Sequence, residues 1–270
     1  MVLRSRRDVL LRTGLGTFAL AVGRVAAQDG GTAAATDARA KVVEDLVAAN
    51  RILADQGVLD AYGHVSARAP QDAGRFLMSR SLAPEMVTAA DVLEHDLDGN
   101  VIAPPGANPF LERFIHAGIY RARPDVNAVV HCHSPSLIPF GATGTPLRPL
   151  YHMSAFLRGG VPVFDIRKAA GDTDMLIRTP ELGSALAKAL GPHAAALMRG
   201  HGAVVVAADL PQAVFRSVYT ELNARLQAQA ISLGGTVTYL DDEEARKAEA
   251  TMGSTVQRPW ELWRRKAMGK

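Results

Sequence analysis

The sequence predicts an α/β domain in which helices cover both faces of a central sheet. Short apolar runs at 128–130 and 203–207 have the length of buried strands. Apolar residues over 38–57 recur at helical spacing, and a second, longer helix is predicted over 210–233. Strands that alternate with helices along a chain pack as layers around a shared core, which is why the pattern favours this fold class.

Taken in chain order, the elements follow from apolar period, turn residues and caps. In the first half of the chain the sequence predicts a helix over 38–57, strands at 64–68 and 76–78, a short helix at 88–92, a strand at 93–96 and a hairpin turn at 97–100. A helix over 112–121 and a strand at 128–130 follow. The remaining predicted elements are a strand at 162–165, a helix over 183–190, a strand at 203–207 and a helix over 210–233.

Length and charge limit the classes of function. The 270 residues, 48% of them hydrophobic, are enough for one well-buried domain. The 30 basic and 27 acidic residues nearly balance, and the basic excess lies at the two termini. Nucleic-acid binding needs a clustered basic face, so we expect a small-molecule substrate and no nucleic-acid partner.

The first residues have the organisation of an export signal. Arg6 and Arg7 precede a modest apolar stretch at 15–22, and the small residues Val25-Ala26-Ala27 follow. This predicts a twin-arginine signal peptide over 1–27, cleaved near Ala27, and a periplasmic protein. The apolar stretch is too short to span a bilayer, so no membrane association is expected. The alternative is a basic disordered tail. We expect a loose linker over 28–37 and the folded domain, with a C-terminal tail, over 38–270.

Three histidines predict a metal site. His131 and His133 are two residues apart at the end of an apolar strand, so their side chains point to the same face. His201 stands between Gly200 and Gly202 at the start of another strand. Three neutral imidazoles with room for a further ligand are how proteins hold a catalytic first-row divalent metal. The alternative is three hydrogen-bonded structural histidines.

These phrases and their surroundings resemble the class II aldolase/adducin family from about residue 38 to residue 240. The matching segments, in the order typical of the family, are Gly63-His64-Val65-Ser66-Ala67-Arg68, Pro109-Phe110-Leu111-Glu112, residues 119–126, His131-Cys132-His133-Ser134-Pro135 and Arg199-Gly200-His201-Gly202-Ala203. The resemblance implies a three-layer α/β/α domain with a mixed, largely antiparallel sheet. It also implies one divalent metal per subunit, Zn²⁺ or Mn²⁺, held by His131, His133 and His201.

Glu112 is the candidate catalytic acid/base. It lies 19 residues before His131, at the start of a predicted helix whose dipole stabilises an anion. By itself it could be a solvated helix-start acid; the resemblance implies that it lies beside the metal and exchanges the proton of the reaction. His116 shares its helix face at i+4, and we expect it to support the site without ligating the metal.

The expected substrate-binding residues are His64, Ser66, Arg68, Ser79 and Arg80. Sugar-phosphate aldolases of the family carry Gly-Asn where this chain has Gly63-His64, and glycine with small residues where it has Ser79-Arg80-Ser81. Arg68 and Arg80 instead suggest recognition of a planar carboxylate by guanidinium groups. The alternative is that both arginines form structural salt bridges. The pattern is more similar to the branch that decarboxylates hydroxylated aromatic acids.

The predicted function is therefore that of a metal-dependent carbon–carbon lyase for a small hydroxy- or oxo-carboxylic acid. Aldol cleavage and decarboxylation both leave an electron pair that a metal can stabilise as an enediolate, so the metal site alone does not separate them. The alternatives are a sugar-phosphate aldolase, a 4-epimerase and a non-catalytic, adducin-like binding protein. The resemblance also implies a homotetramer, and Trp260 and Trp263 beside arginines suggest a tail that anchors the subunit interface. The alternative is a tail that folds back on its own subunit.

Overall fold

The computed structural model describes residues 26–269, and only the backbone of residues 26–33. The predicted signal peptide therefore lies outside the described residues except for Ala26 and Ala27. In the described part of the chain, no helix is long and apolar enough to cross a membrane.

A single mixed sheet forms the centre of the described chain. Its order is β4-β3-β2-β1-β5-β8-β7-β6, and every neighbouring pair is antiparallel except β6 and β7. The strands are β1 His64–Ala69, β2 Asp72–Ser79, β3 Val92–Asp96, β4 Val101–Ala103, β5 Ala128–Cys132, β6 Val163–Phe164, β7 Ala195–Met198 and β8 Gly202–Ala207.

Helices cover both faces of this sheet, which confirms the predicted three-layer α/β/α arrangement and its mixed, largely antiparallel sheet. The helices are α1 Ala26–Asp55, α2 Arg113–Ala122, α3 Ile138–Ala142, α4 Arg167–Ala170, α5 Pro180–Leu190, α6 Leu210–Ser232, α7 Asp242–Gly253 and α8 Gln257–Ala267. Short 3-10 helices lie at Pro84–Met86, Ala89–Asp91 and His152–Leu157.

One face of the sheet packs against α1, α6 and α8. The alternation of strand side chains places Val130 and Val205 in this layer.

Two predictions about the ends of the chain differ from the structure. Helix α1 begins at Ala26 and so runs through residues 28–37, for which the sequence predicted a loose linker; the alanines of this segment favour a helix. Trp260 is 5% exposed within the same layer, so it packs α8 against its own chain. The tetramer itself stays a prediction.

The opposite face packs against α2 and α5, which cross at a pair of glycines. A Cβ atom on Gly183 would lie 2.1 Å from the backbone oxygen of Phe114, and one on Gly118 would lie 2.4 Å from the carbonyl carbon of Gly183. These distances leave no room for any side chain at the crossing. The close approach matters for the site because Glu112 immediately precedes α2.

We predict that Gly183→Ala destabilises the protein by about 1–3 kcal/mol, since the added methyl group meets backbone that cannot rotate away. Urea unfolding measures the effect. Gly253→Ala is the matched control, because a Cβ atom there meets nothing within 4 Å. Equal stability of the two variants would contradict the tight crossing.

Candidate active site

Four side chains converge where β5 ends and β8 begins. The Nε2 atoms of His131 and His201 each lie 3.1 Å from Nε2 of His133. The Glu112 Oε2 atom lies 3.7 Å from Nε2 of His131 and 3.4 Å from Nε2 of His201. These groups can each offer one ligand atom within 4.8 Å of all the others. The structure thus brings together the four residues that the sequence proposed for metal binding and acid/base chemistry.

Strand geometry explains how the histidines meet. Strands β5 and β8 are antiparallel neighbours with Cys132 opposite Ala203, so the end of one strand adjoins the start of the other. A Cβ atom on Gly202 would lie 2.0 Å from the backbone oxygen of Cys132, so only glycine allows this approach. Gly202 is therefore required by the distance between the two backbones, whereas Gly200 is favoured by its φ of +64°.

The hydrogen bonds of the imidazoles fit a site that could hold a cation. Nδ1 of His131 lies 3.1 Å from the backbone oxygen of Ala203, and Nδ1 of His201 lies 3.1 Å from that of Met175. A carbonyl oxygen only accepts, so both Nδ1 atoms carry the proton and both Nε2 atoms point bare lone pairs at His133. A proton on His133 Nε2 can satisfy one of them, whereas a divalent metal satisfies all. Burial also lowers the pKa of His131 and His133, which keeps them neutral and able to ligate.

Glu112 contributes a carboxylate to the cluster. Burial alone would raise the pKa of this carboxyl, and the hydrogen bond from the backbone N–H of Ile177 opposes that rise. Its side chain does not cap α2. Instead, Oε1 accepts a hydrogen bond of 2.9 Å from the Ile177 N–H, which leaves Oε2 directed at the histidines.

An irregular segment before α5 supports two members of the cluster at once. Met175 supplies the carbonyl for His201, and Ile177 supplies the N–H for Glu112. Met175 has φ +73°, a backbone conformation that is unfavourable for a residue with a side chain. Such strain persists only where surrounding contacts impose it, and here the imposed conformation orients a candidate metal ligand.

A cavity of about 450 Å³ opens beside the cluster, and Glu112 and His133 form part of its wall. The rest of the lining is mainly apolar, and among the described residues it includes no lysine or arginine. The lining residues are Ala61, Tyr62, Gly63, His64, Ser81, Leu82, Ala83, Phe110, Leu111 and Leu176. A ligand in this cavity would contact apolar side chains and the candidate metal ligands at the same time.

Of the five residues predicted to bind substrate, His64 lines the cavity. Ser66 lies deeper, where its hydroxyl is 2.6 Å from Nδ1 of His116 and 2.8 Å from the phenol oxygen of Tyr120. Ser79 is buried away from the cavity, and its hydroxyl has no hydrogen-bond partner among the described residues. Its neighbour Ser81 lines the cavity in its place.

Both arginines predicted to bind substrate pair with groups of their own chain. Arg68 donates hydrogen bonds of 3.0 Å to the backbone oxygens of Tyr120, Arg123 and Val126, and so closes the C-terminal end of α2. Arg80 forms an ion pair of 2.7 Å with Asp91. Neither lines the cavity. The pairing of Arg68 with the end of α2 joins residues 52 to 58 positions apart, and Asp91 lies 11 positions from Arg80.

Sequence reasoning missed the cavity wall and the support of the cluster. Phe110 and Leu111 stood beside Glu112 in the motif, and Tyr62 stood just before Gly63, but their types alone suggest only core packing. Met175 and Ile177 act through backbone groups, which leave no mark on side-chain identity.

Comparison with known proteins decides the family. Residues 44–228 match the class II aldolase and adducin N-terminal domain. The chain belongs to this family. It is 35% identical over 244 residues to the decarboxylase tropJ of Talaromyces stipitatus, covering 82% of this chain and 92% of that protein. It is 31% identical over 235 residues to a 3,4-dihydroxyphthalate decarboxylase of Arthrobacter keyseri, covering 80% and 90%.

The fold comparison agrees with the sequence match. The L-fuculose 1-phosphate aldolase of Glaciozyma antarctica superimposes with a TM-score of 0.73 at 25% identity, over 95% of each chain. The sugar-phosphate aldolase and the present chain therefore share the class II aldolase fold. The family match and the buried Glu/His cluster together fit the metal site typical of class II aldolases.

Proposed function

We propose that this class II aldolase relative is a divalent-metal-dependent decarboxylase of a hydroxylated aromatic acid. The observation that carries the proposal is the cavity beside the donor cluster, whose wall is mainly apolar and, in the described part of the chain, has no lysine or arginine. A planar ring is favoured against Phe110, Leu111 and Leu176, because apolar surface is buried on both partners. The similarity to tropJ and to 3,4-dihydroxyphthalate decarboxylases supports the same choice.

The lack of a cation in the wall suits decarboxylation in particular. A carboxylate that departs as CO₂ loses its negative charge in the transition state. An arginine that held it would stabilise the bound acid more than the transition state and would slow the reaction. The positions of Arg68 and Arg80 away from the cavity are therefore consistent with this chemistry.

Each residue of the site has a separate role in the proposed reaction. The bond between the ring carbon and the carboxylate breaks, CO₂ leaves without the electron pair, and that carbon takes a proton. A bound divalent metal would supply Lewis-acid stabilisation of the neighbouring substrate oxygens. His131, His133 and His201 would hold it through Nε2. Glu112 would accept the proton of a substrate hydroxyl at Oε2 and pass it to that carbon, since Oε1 is occupied by the Ile177 N–H.

The other candidate functions have less support. A phosphate group would find no cationic side chain in the cavity wall, which disfavours a sugar-phosphate aldolase or 4-epimerase. A purely binding, adducin-like protein has no need for three imidazoles and a carboxylate around one point, and all four are present here.

We predict that the zinc- or manganese-loaded protein releases CO₂ from 3,4-dihydroxyphthalate and that metal-stripped protein does not. Phthalate without hydroxyl groups is the matched control and should stay unchanged, because it lacks the oxygens beside the reacting carbon. Gas release and chromatography of the phenolic product measure the reaction. Aldehyde release from L-fuculose 1-phosphate, with no CO₂ from any hydroxy acid, would overturn the proposal in favour of an aldolase.

The metal, the location and the assembly belong to the same proposal. Three nitrogen donors and one oxygen donor suit Zn²⁺ or Mn²⁺. The twin-arginine pattern at residues 5–7 and the small residues at 25–27 support a periplasmic protein. A homotetramer is proposed from the family alone, and light scattering on the full chain tests it.

A further inference from the structure

A row of buried polar groups extends from the cavity into the core between α2 and β1. His64 Nδ1 lies 2.7 Å from His116 Nε2, His116 Nδ1 lies 2.6 Å from Ser66 Oγ, and Ser66 Oγ lies 2.8 Å from the Tyr120 hydroxyl. All four side chains are at most 3% exposed. We call these four residues the polar row.

The polar row exists because the two elements have matching repeats. His116 and Tyr120 are four residues apart on α2, a rise of about 6 Å. His64 and Ser66 are two residues apart on β1, a rise of about 6.6 Å. Side chains from the helix and the strand therefore meet in pairs over two successive steps, and Arg68 closes the row by binding the backbone oxygen of Tyr120.

The direction of the hydrogen bonds follows from the Tyr120 end of the polar row, which is buried in the core. Burial raises the pKa of Tyr120, so its phenol keeps its proton. In the described chain the acceptor for the phenol proton is Ser66 Oγ. Ser66 must then donate to His116 Nδ1, and His116 must donate from Nε2 to His64 Nδ1. The opposite direction would leave the Tyr120 O–H buried without an acceptor, which is unfavourable.

We propose that the polar row holds His64 in the tautomer whose proton is on Nε2, so that His64 donates a hydrogen bond into the cavity to an anionic oxygen of the substrate. His64 lines the cavity, and Nε2 makes no hydrogen bond within the described chain. The identity of the acceptor rests on the proposed function, whereas the tautomer rests on the polar row alone. His116, Ser66 and Tyr120 act here as positioning residues.

The tautomer also separates His64 from the metal ligands. Its ring centroid lies 5.0 Å from that of His131, close enough for a fourth imidazole to compete for a cation. An Nε2 atom that carries a proton cannot ligate. The polar row thus makes a donor out of an imidazole that would otherwise resemble the three ligands beside it.

Nitrogen NMR of the zinc-loaded full chain with ¹⁵N-labelled histidine tests the tautomer directly. We expect the His64 proton on Nε2 in the native protein. Tyr120→Phe removes the phenol that sets the direction, and Ser66→Ala interrupts the row, so either variant should show a second His64 tautomer with zinc content unchanged. Tyr219→Phe is the matched control, since Tyr219 packs in the opposite layer. A native His64 proton on Nδ1 would overturn the proposal, as would a tautomer that neither variant changes.

Binding of 3,4-dihydroxybenzoate, followed by calorimetry, tests the acceptor. We expect His64→Leu to raise Kd about tenfold, the usual effect of losing a hydrogen bond to a charged group. His64→Gln retains an N–H donor and should restore most of the affinity. Equal Kd values for the Leu and Gln variants would refute the donor role. If the native protein does not bind this acid, the proposed substrate class fails while the NMR result still decides the tautomer.

Discussion

Glu112→Gln should retain the metal and lower the rate of decarboxylation by about 10²–10⁴-fold, the usual cost of losing a general acid or base. Glutamine has the same shape, and its side-chain oxygen can still accept the Ile177 N–H that now binds Oε1. The amide cannot carry the proton that replaces CO₂ on the substrate carbon. Three imidazoles remain to hold the metal.

The measurement pairs single-turnover kinetics with elemental analysis of the same sample. Glu243→Gln, an exposed change on α7, controls for the loss of one negative charge. A rate near that of the native protein with full metal content would assign Glu112 a structural role. Loss of both the rate and the metal would instead identify it as an essential ligand.

His133→Ala should remove most of the bound metal while leaving the fold intact. His133 lies at the cavity wall and is only part-buried, whereas His131 is fully buried, so truncating His133 disturbs the core least. Loss of a direct ligand should weaken metal affinity by more than the roughly 10–100-fold that outer-shell changes cost. The native protein should also gain thermal stability on metal addition, and the variant should not.

Elemental analysis after dialysis measures the metal, and circular dichroism checks the fold. His152→Ala is the matched control, because His152 is exposed and lies outside the donor cluster. Full metal content in the folded His133→Ala protein would contradict the assignment of the metal ligands.

The parts of the site that the sequence predicted are those set by local spacing. Two histidines at i and i+2 on a strand must share a face, and a histidine between glycines marks a close approach of backbones. The order of helices and strands also follows from local spacing, because apolar residues repeat at different intervals in a helix and in a strand. Glu112 was found through the motif around it, since its own spacing suggested no more than a helix start.

The parts that sequence could not predict depend on which distant segments touch. Arg68 shares a strand face with His64, but a helix end 52 residues away takes its guanidinium. Trp260 has the composition of an interface anchor, but α8 folds back and buries it. The carbonyl of Met175 and the N–H of Ile177 are present in almost any residue, so only the fold shows what they do.

The position of Leu176 between those two backbone groups limits how substitutions can alter the substrate specificity of this protein. Leu176 lines the cavity, while its neighbours hold a candidate metal ligand and the candidate acid/base carboxylate. A mutation there that widens the range of substrates also shifts the groups that orient His201 and Glu112. Leu82 and Ala83 form another part of the wall and bear no hydrogen bond to the cluster in the described chain. Evolution of new specificity is therefore expected to proceed through Leu82 and Ala83, with Leu176 retained.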